Sequence, residues 1–119
     1  MSLHLALLKI PVSDLKRSVA FYEAVLGCNV DFVAQEFGWA QFSQPAPGLA
    51  LYVPGAGGGN RSLGGSLDFH LSAPDLEATL ERVRHVAETA KIYENADGSG
   101  SLELEDPDGN VLKIMGAAQ

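Results

Sequence analysis

The sequence predicts an α+β domain in which a β-α-β-β-β module occurs twice in tandem. Each half contains one stretch with helical periodicity, which follows one strand-like stretch and precedes three more. A segment rich in glycine separates the two halves. An offset of 61 positions superimposes Asp14 and Leu15 on Asp75 and Leu76, so the second half repeats the order of the first.

The length of 119 residues fits a single domain covering residues 1–119. A chain of this size can bury an ordinary core without disulfides or a structural metal. We divide the domain into a first module at 4–54, a Gly-rich connector at 54–65 and a second module at 66–116.

The first module begins with a strand, because LALLKIPV at residues 5–12 alternates between two faces. The next segment places four apolar residues at helical spacing, namely Leu15, Val19, Tyr22 and Leu26. Asp14 or Ser13 can cap the first turn and Gly27 suits the end, which predicts a helix from about Asp14 to Leu26. NVDFVAQE, WAQFS and LALYV are short runs between turn residues, so they predict three further strands.

The second module follows PGAGGGNRSLGG, whose composition is typical of a flexible connector. SLDFHLSA predicts a strand, and a helix should begin behind Pro74 and Asp75. One face of that helix carries Leu76, Leu80, Val83 and Ala87. KIYENA, SLELE and NVLKIM then predict the last three strands.

The composition limits which partners and which cellular compartment we expect for this protein. Fifteen acidic against eight basic residues give a net charge of −7, and the basic residues form no stripe, which argues against nucleic acid. No apolar run approaches the roughly 20 residues that cross a bilayer, and no secretion signal is recognisable, so we expect no membrane association and a cytoplasmic protein. Cys28 is the only cysteine, which excludes an internal disulfide.

Two motifs carry a resemblance to a known superfamily. VSDLKRSVAFYEAVLG after the first strand and DPDGNVLKI near the end resemble the glyoxalase, bleomycin-resistance and extradiol-dioxygenase proteins, also called the vicinal oxygen chelate superfamily. The resemblance implies that the modules form a cupped mixed sheet with the helices outside and a ligand cavity within. It also implies a homodimer and a small-molecule ligand.

Alternation along the strands then predicts which side chains face the cavity. Leu8 and Ile10 should face the first helix, while Leu112 and Ile114 should face the second, which leaves Lys113 in the cup. The same reasoning assigns Tyr52 to the helix side. The cavity candidates are Leu7, Lys9, Trp39, Gln41, Leu51, Asp68, His70, Glu103 and Lys113.

Metal-dependent relatives hold a divalent ion with two His and one or two Glu at four equivalent strand positions. The resemblance places Leu7, Leu51, Asp68 and Lys113 at those positions. Alkyl chains offer no donor and a protonated ammonium has no lone pair, so we predict a cavity without metal and without another cofactor. The alternative is a displaced metal site formed by Asp68, His70 and Glu103.

The leading functional expectation is binding or sequestration of a small organic molecule, as in the bleomycin-resistance branch. One alternative is a metal-dependent enzyme, either similar to lactoylglutathione lyase or a dioxygenase. Another is a metal-independent enzyme in which Asp68 or His70 acts as a general base. Lys113 would either pair with Asp68 or contact the ligand, and the acidic composition with its aromatic residues favours a cationic ligand.

Overall fold

The structure is a computed structural model that describes residues 2–3, 5–44, 46–65 and 69–117. Ala117 is described by its backbone alone. The first module contains β1 (Leu7–Pro11), α1 (Leu15–Leu26), β2 (Phe32–Ala34), a 3-10 turn (Gln35–Phe37), β3 (Trp39–Phe42) and β4 (Gly48–Tyr52). The second contains β5 (His70–Ser72), α2 (Leu76–Val83), β6 (Lys91–Glu94), β7 (Ser99–Glu105) and β8 (Val111–Ala117). The predicted α+β fold of two tandem β-α-β-β-β modules is confirmed.

Both modules have the same sheet topology. The strand order is β1-β4-β3-β2 in the first sheet and β5-β8-β7-β6 in the second. In each sheet the first strand pairs in parallel with the fourth, and the other pairs are antiparallel. The mixed sheet therefore consists of two four-stranded halves rather than one hydrogen-bonded unit over the described residues.

Local sequence signals account for the helix ends. The Asp14 carboxylate accepts a hydrogen bond from the Arg17 backbone N–H at 3.0 Å, which caps α1. Gly27 adopts the left-handed conformation at φ 73° and its N–H donates to the Glu23 carbonyl, as a C-terminal glycine does. Asp75 caps α2 in the same way, but α2 ends at Val83, before the predicted Ala87. Ala87 is nevertheless buried, in the turns that follow.

The hydrophobic core lies between the helices and the sheets. Alternate strand residues point to it, and those with no exposed surface include Ile10, Ala40, Leu51, Leu102 and Leu112. Each helix covers one face of its own sheet, and α1 also contacts α2. The molecule measures 44 × 41 × 25 Å, and its smallest dimension corresponds to about one layer of helices and one layer of sheet. Over the described residues, the two sheet faces that point away from the helices are therefore not packed against each other.

The DPDGN turn between β7 and β8 joins the two modules. The Asp106 carboxylate is buried and accepts hydrogen bonds from the Tyr22 hydroxyl at 2.8 Å and the Asn110 amide at 2.7 Å. The Asn110 amide also donates to the Pro11 carbonyl at 3.1 Å. Burial, followed by the charge of Asp106, raises the pKa of Tyr22. The DPDGN part of the motif thus has a structural role, because it connects the two modules through buried hydrogen bonds.

A second contact between the modules lies at the end of α1. The Arg82 guanidinium on α2 donates to the carbonyls of Ala24 and Val25 at 3.2 and 2.8 Å. A cation at a helix C-terminus satisfies carbonyls that have no partner within the helix. No helix among the described ranges combines the length and apolarity needed to cross a membrane.

Candidate functional site: two half-cups

We call the face of the first sheet that lies opposite α1 the first half-cup. Its side chains follow from strand register, because paired residues on neighbouring strands point to the same face. One row across the four strands consists of Lys9, Ala50, Gln41 and Phe32. The next row contains Pro11, Tyr52, Trp39 and Ala34, so the two rows hold three aromatic residues and a single charge.

Lys9 provides the charge of the first half-cup. Its ammonium lies 5.4 Å from the centroid of the Tyr52 ring and 5.9 Å from that of Trp39, within the range of cation–π attraction. The same ammonium donates a hydrogen bond to the Gly58 carbonyl at 2.6 Å. The Trp39 indole in turn donates to the Gln41 side-chain carbonyl at 3.1 Å. These contacts fix the ammonium and the indole relative to each other.

The Gly-rich connector packs against this aromatic surface. A Cβ atom added at Gly58 would lie 2.9 Å from the Trp39 ring and from the Tyr52 Cβ, and one at Gly59 would lie 2.8 Å from the Tyr52 ring. Only glycine allows the backbone to approach the rings so closely. Gly58 and Gly59 therefore form a wall of the half-cup, a role that the prediction of a flexible connector does not include.

A cavity of about 860 Å³ lies between this wall and the sheet. It is lined by Lys9, Pro11, Tyr52, Gly59, Asn60, Arg61, Ser62, Gly65 and Asn110. Tyr52 and Arg61 were not among the cavity candidates predicted from the sequence. Their placement depends on strand register and on the path of the connector, which no local pattern reports.

The second half-cup is the face of the second sheet that lies opposite α2. Its row across the strands consists of His70, Lys113, Glu103 and Lys91. A cavity of about 580 Å³ on this face is lined by Phe69, His70, Asn95, Ser101, Glu103, Lys113 and Met115. Every residue of the row is ionisable, in contrast to the first half-cup.

Lys113 lies on the cup face, as alternation with the buried Leu112 and Ile114 predicts. The side chain is half-buried, and the ion pairs found among the described residues do not include it, even though Glu103 is its direct neighbour on β7. The predicted partner Asp68 lies outside the described residues. The pairing of Lys113 with Asp68 thus stays a prediction.

Two predictions on β4 are wrong. Leu51 pairs with Ile10 and Ala40, has no exposed surface and belongs to the core, so it does not line the cavity. Tyr52, expected on the helix side, pairs with Trp39 and lines the first half-cup. The cause is that all five residues of β4 are buried, so its sequence shows no alternation from which a face could be assigned.

The remaining candidates lie where the alternation places them. Lys9 and His70 occupy equivalent places in the two rows, and Trp39 and Gln41 share the first half-cup. Glu103 and Lys113 share the second. Leu7 is half-buried and lies on the same face as Lys9, at the start of β1.

The described residues do not fit the metal site that the superfamily implies. Leu7 and Leu51 have no donor atom, Leu51 points away from the cup, and the protonated ammonium of Lys113 has no lone pair. Over the described ranges, no three His, Cys, Asp or Glu residues are grouped to hold a metal ion. His70 and Glu103 of the displaced alternative line one cavity, but its third member, Asp68, lies outside those ranges.

Solved structures similar to this chain share its fold. A glyoxalase/bleomycin resistance protein from Catenulispora acidiphila is 22% identical with a TM-score of 0.74, over 93% of this chain and 96% of that one. A superfamily member from Sphaerobacter thermophilus is 20% identical with a TM-score of 0.76, over 97% and 98%. Lactoylglutathione lyase from Agrobacterium tumefaciens is 19% identical with a TM-score of 0.75, over 95% and 92%.

At these identities the likeness extends to the fold alone. Comparison with curated protein sequences found no match. A family profile, in contrast, matches residues 3–114, which is nearly the whole chain. On that match, together with two modules of the expected topology, the chain belongs to the Glyoxalase/Bleomycin resistance protein/Dioxygenase superfamily.

Proposed function

We propose that this protein is a homodimer that binds a small organic molecule in a metal-free cavity formed by its half-cups. The observation that carries the proposal is the contrast between the two faces. The first combines the Lys9 ammonium with the half-buried Trp39 ring, beside the nearly buried Tyr52, and the second offers hydrogen-bonding groups at His70, Glu103 and Lys113. An apolar wall with a few convergent polar groups is what a small-molecule site requires.

The dimer is proposed because each half-cup needs a cover. Among the described residues, the cavities of the two half-cups share no lining residue, so one chain leaves the two faces apart rather than around one ligand. Phe32 in the first and Tyr93 in the second are exposed aromatic residues at the outer strands of these faces. A second copy of the chain would cover both faces and bury these rings.

A metal-independent enzyme is the second candidate. His70, Glu103 and Lys113 line one cavity and could exchange protons with a bound molecule. Metal-dependent lyase or dioxygenase chemistry receives less support, because Leu7 and Lys113, at two of the metal positions that the resemblance implies, offer no lone pair, and Leu51, assigned to a third, faces the core. Turnover of a substrate in the presence of a chelator would favour the metal-independent enzyme over a binding protein.

Native mass spectrometry of the purified protein tests the proposal. We expect a dimer that carries organic molecules of a few hundred daltons and no stoichiometric zinc, nickel, iron or manganese. Ligands identified in this way should raise the melting temperature of the apoprotein, because a molecule that binds only the folded state stabilises it. A monomer without small-molecule ligands, or one tightly held metal ion per chain, would contradict the proposal.

A further inference from the structure

We infer that the first half-cup selects an anionic group, a carboxylate or a phosphate, on a ligand with an aromatic part, and that Lys9 and Arg61 make this selection. The inference rests on the proposed function, since it names the ligand class of the same site. It reverses the sequence-based expectation of a cationic ligand.

The charges around the first cavity have the opposite sign to the whole chain. The protein carries fifteen acidic and eight basic residues, yet the described residues that line this cavity include Lys9 and Arg61 and no carboxylate. Salt screens charges that lie more than about 8 to 10 Å away, so the lining residues outweigh the distant charges of the chain for a bound ligand, while the nearby Asp106 carboxylate is buried behind the Asn110 amide. A cavity with two cations in an acidic protein favours an anion.

Lys9 is held in position before any ligand binds. Its ammonium is fixed by the Gly58 carbonyl and by the rings of Trp39 and Tyr52. An ammonium has three N–H donors, and the bond to Gly58 uses one of them. The side chain remains exposed, so its other donors are accessible. Because the long side chain is already ordered, binding an anion there costs less conformational entropy than at a mobile lysine.

Arg61 has its donors available and is brought to the cavity by the connector. It is exposed, and over the described part of the chain its guanidinium has neither a hydrogen bond nor an ion pair. The contacts of Gly58 and Gly59 with the aromatic rings position the connector just before it. A guanidinium can bind a carboxylate or phosphate through two parallel hydrogen bonds. Asn60 and Ser62 add neutral polar groups on either side of Arg61.

The aromatic part of the ligand follows from the surface beneath these cations. Tyr52 lines the cavity but is nearly buried beneath Gly58 and Gly59, whereas the Trp39 ring beside it on the same face is only half-buried. A planar group can pack against the exposed part of the Trp39 ring with little loss of side-chain freedom. The combination of two cations with an aromatic surface fits an aryl carboxylate or an aryl phosphate better than an aliphatic or cationic molecule.

A set of matched fragments tests the inference: benzoate and phenylphosphonate as anions, benzamide as the neutral analogue and benzylammonium as the cation. Trp39 is the only tryptophan, so its indole N–H resonance reports binding in the first half-cup without assignment of other signals. We expect both anions to bind at least about tenfold more tightly than benzamide or benzylammonium, as a charge-assisted hydrogen bond implies. The comparison of benzoate with phenylphosphonate separates a carboxylate from a phosphate preference.

Arg61→Gln should weaken both anions by about tenfold and leave benzamide unchanged. Within the described residues Arg61 has no hydrogen bond or ion pair to lose, so this variant should fold, and Lys9→Met serves as the second variant. Lys16→Gln removes the same charge from the exposed side of α1 and should change nothing. Equal binding of benzamide, or full anion affinity in both Arg61→Gln and Lys9→Met, would overturn the anion selection. Failure of every fragment would overturn it too, while native mass spectrometry decides the proposed function separately.

Discussion

The two modules fold alike but present different chemistry on their cup faces. The row across the first sheet has one charge, and its members are Lys9, Ala50, Gln41 and Phe32. The row across the second sheet is entirely ionisable, and its members are His70, Lys113, Glu103 and Lys91. Helix-facing residues are apolar in both modules. Core packing thus constrains one face of each sheet, while the chemistry of the other face differs between the modules.

The largest losses of stability should come from substitutions on the helix-facing side of the sheets, which is apolar in both modules. Leu51 and Leu112 have no exposed surface and occupy the core side of β4 and β8. Leu51→Ala and Leu112→Ala should each lower the free energy of unfolding by about 2 to 5 kcal/mol, because each leaves a cavity in a packed core. Denaturant melts measure the loss. Leu7→Ala, on the half-buried cup side of β1, is the control and should cost less. A cost below about 1 kcal/mol for Leu51→Ala would contradict its assignment to the core.

The next effect concerns the turn that links the modules. Tyr22→Phe removes a donor to the buried Asp106 carboxylate, which should cost about 1 to 3 kcal/mol. The raised pKa of Tyr22 adds a pH signature. Below pH 10 both states keep the Tyr22 proton; above it the unfolded state loses the proton while the folded state retains it, so stability falls as pH rises.

Urea melts between pH 8 and 11 test this signature. The wild type should lose stability more steeply above about pH 10 than Tyr22→Phe, since the substituted chain has no proton to lose at this position. Tyr93→Phe is the matched control because Tyr93 is exposed on β6. Parallel pH profiles for the wild type and Tyr22→Phe would show that the hydroxyl is not protected by burial.

The comparison of the two modules also shows which features could be predicted from the sequence. The ends of α1 were predictable, because Asp14 and Gly27 act through bonds to residues three or four positions away. The face of Lys113 was predictable because β8 alternates around it. Leu51 and Tyr52 could not be assigned correctly, since their face is set by pairing with β1 and β3 and their own strand is apolar throughout.

The role of the connector could not be predicted from its local sequence either. Its composition is that of a flexible segment, and nothing in the run of glycines points to Trp39 or Tyr52. The contact exists because a backbone without side chains can lie on an aromatic surface that another part of the chain provides. Tertiary contacts of this kind need the structure.

Gly58→Ala should change the first module and leave the second intact. The added methyl group would lie 2.9 Å from the Trp39 ring, so the connector must move away, at a cost of about 1 to 3 kcal/mol. We expect a shift of the Trp39 indole resonance and weaker benzoate binding, with unchanged chemical shifts at His70. Gly100→Ala is the control, because its Cβ would be crowded to a similar degree, 2.7 Å from the Leu76 side chain, but lies on β7 of the second module, so the Trp39 indole resonance should not shift. An unchanged indole resonance in Gly58→Ala would contradict the packed connector.

The smallest effect on stability is expected for substitution of Lys113 in the second half-cup. Lys113→Met keeps most of the alkyl stem and removes the ammonium. Because the described residues provide Lys113 with no ion-pair partner, its loss should change the free energy of unfolding by less than about 1 kcal/mol. Ligand affinity should fall instead, by about tenfold for a ligand that accepts a hydrogen bond from the ammonium. Lys91→Met is the matched control at the outer end of the same row, where the ammonium lies 5.9 Å from the Tyr93 ring.

A loss of about 3 to 5 kcal/mol in Lys113→Met would instead reveal a buried ion pair with Asp68. In that case Asp68→Leu added to Lys113→Met should restore much of the stability, and the second half-cup would owe its charges to folding rather than to ligand binding.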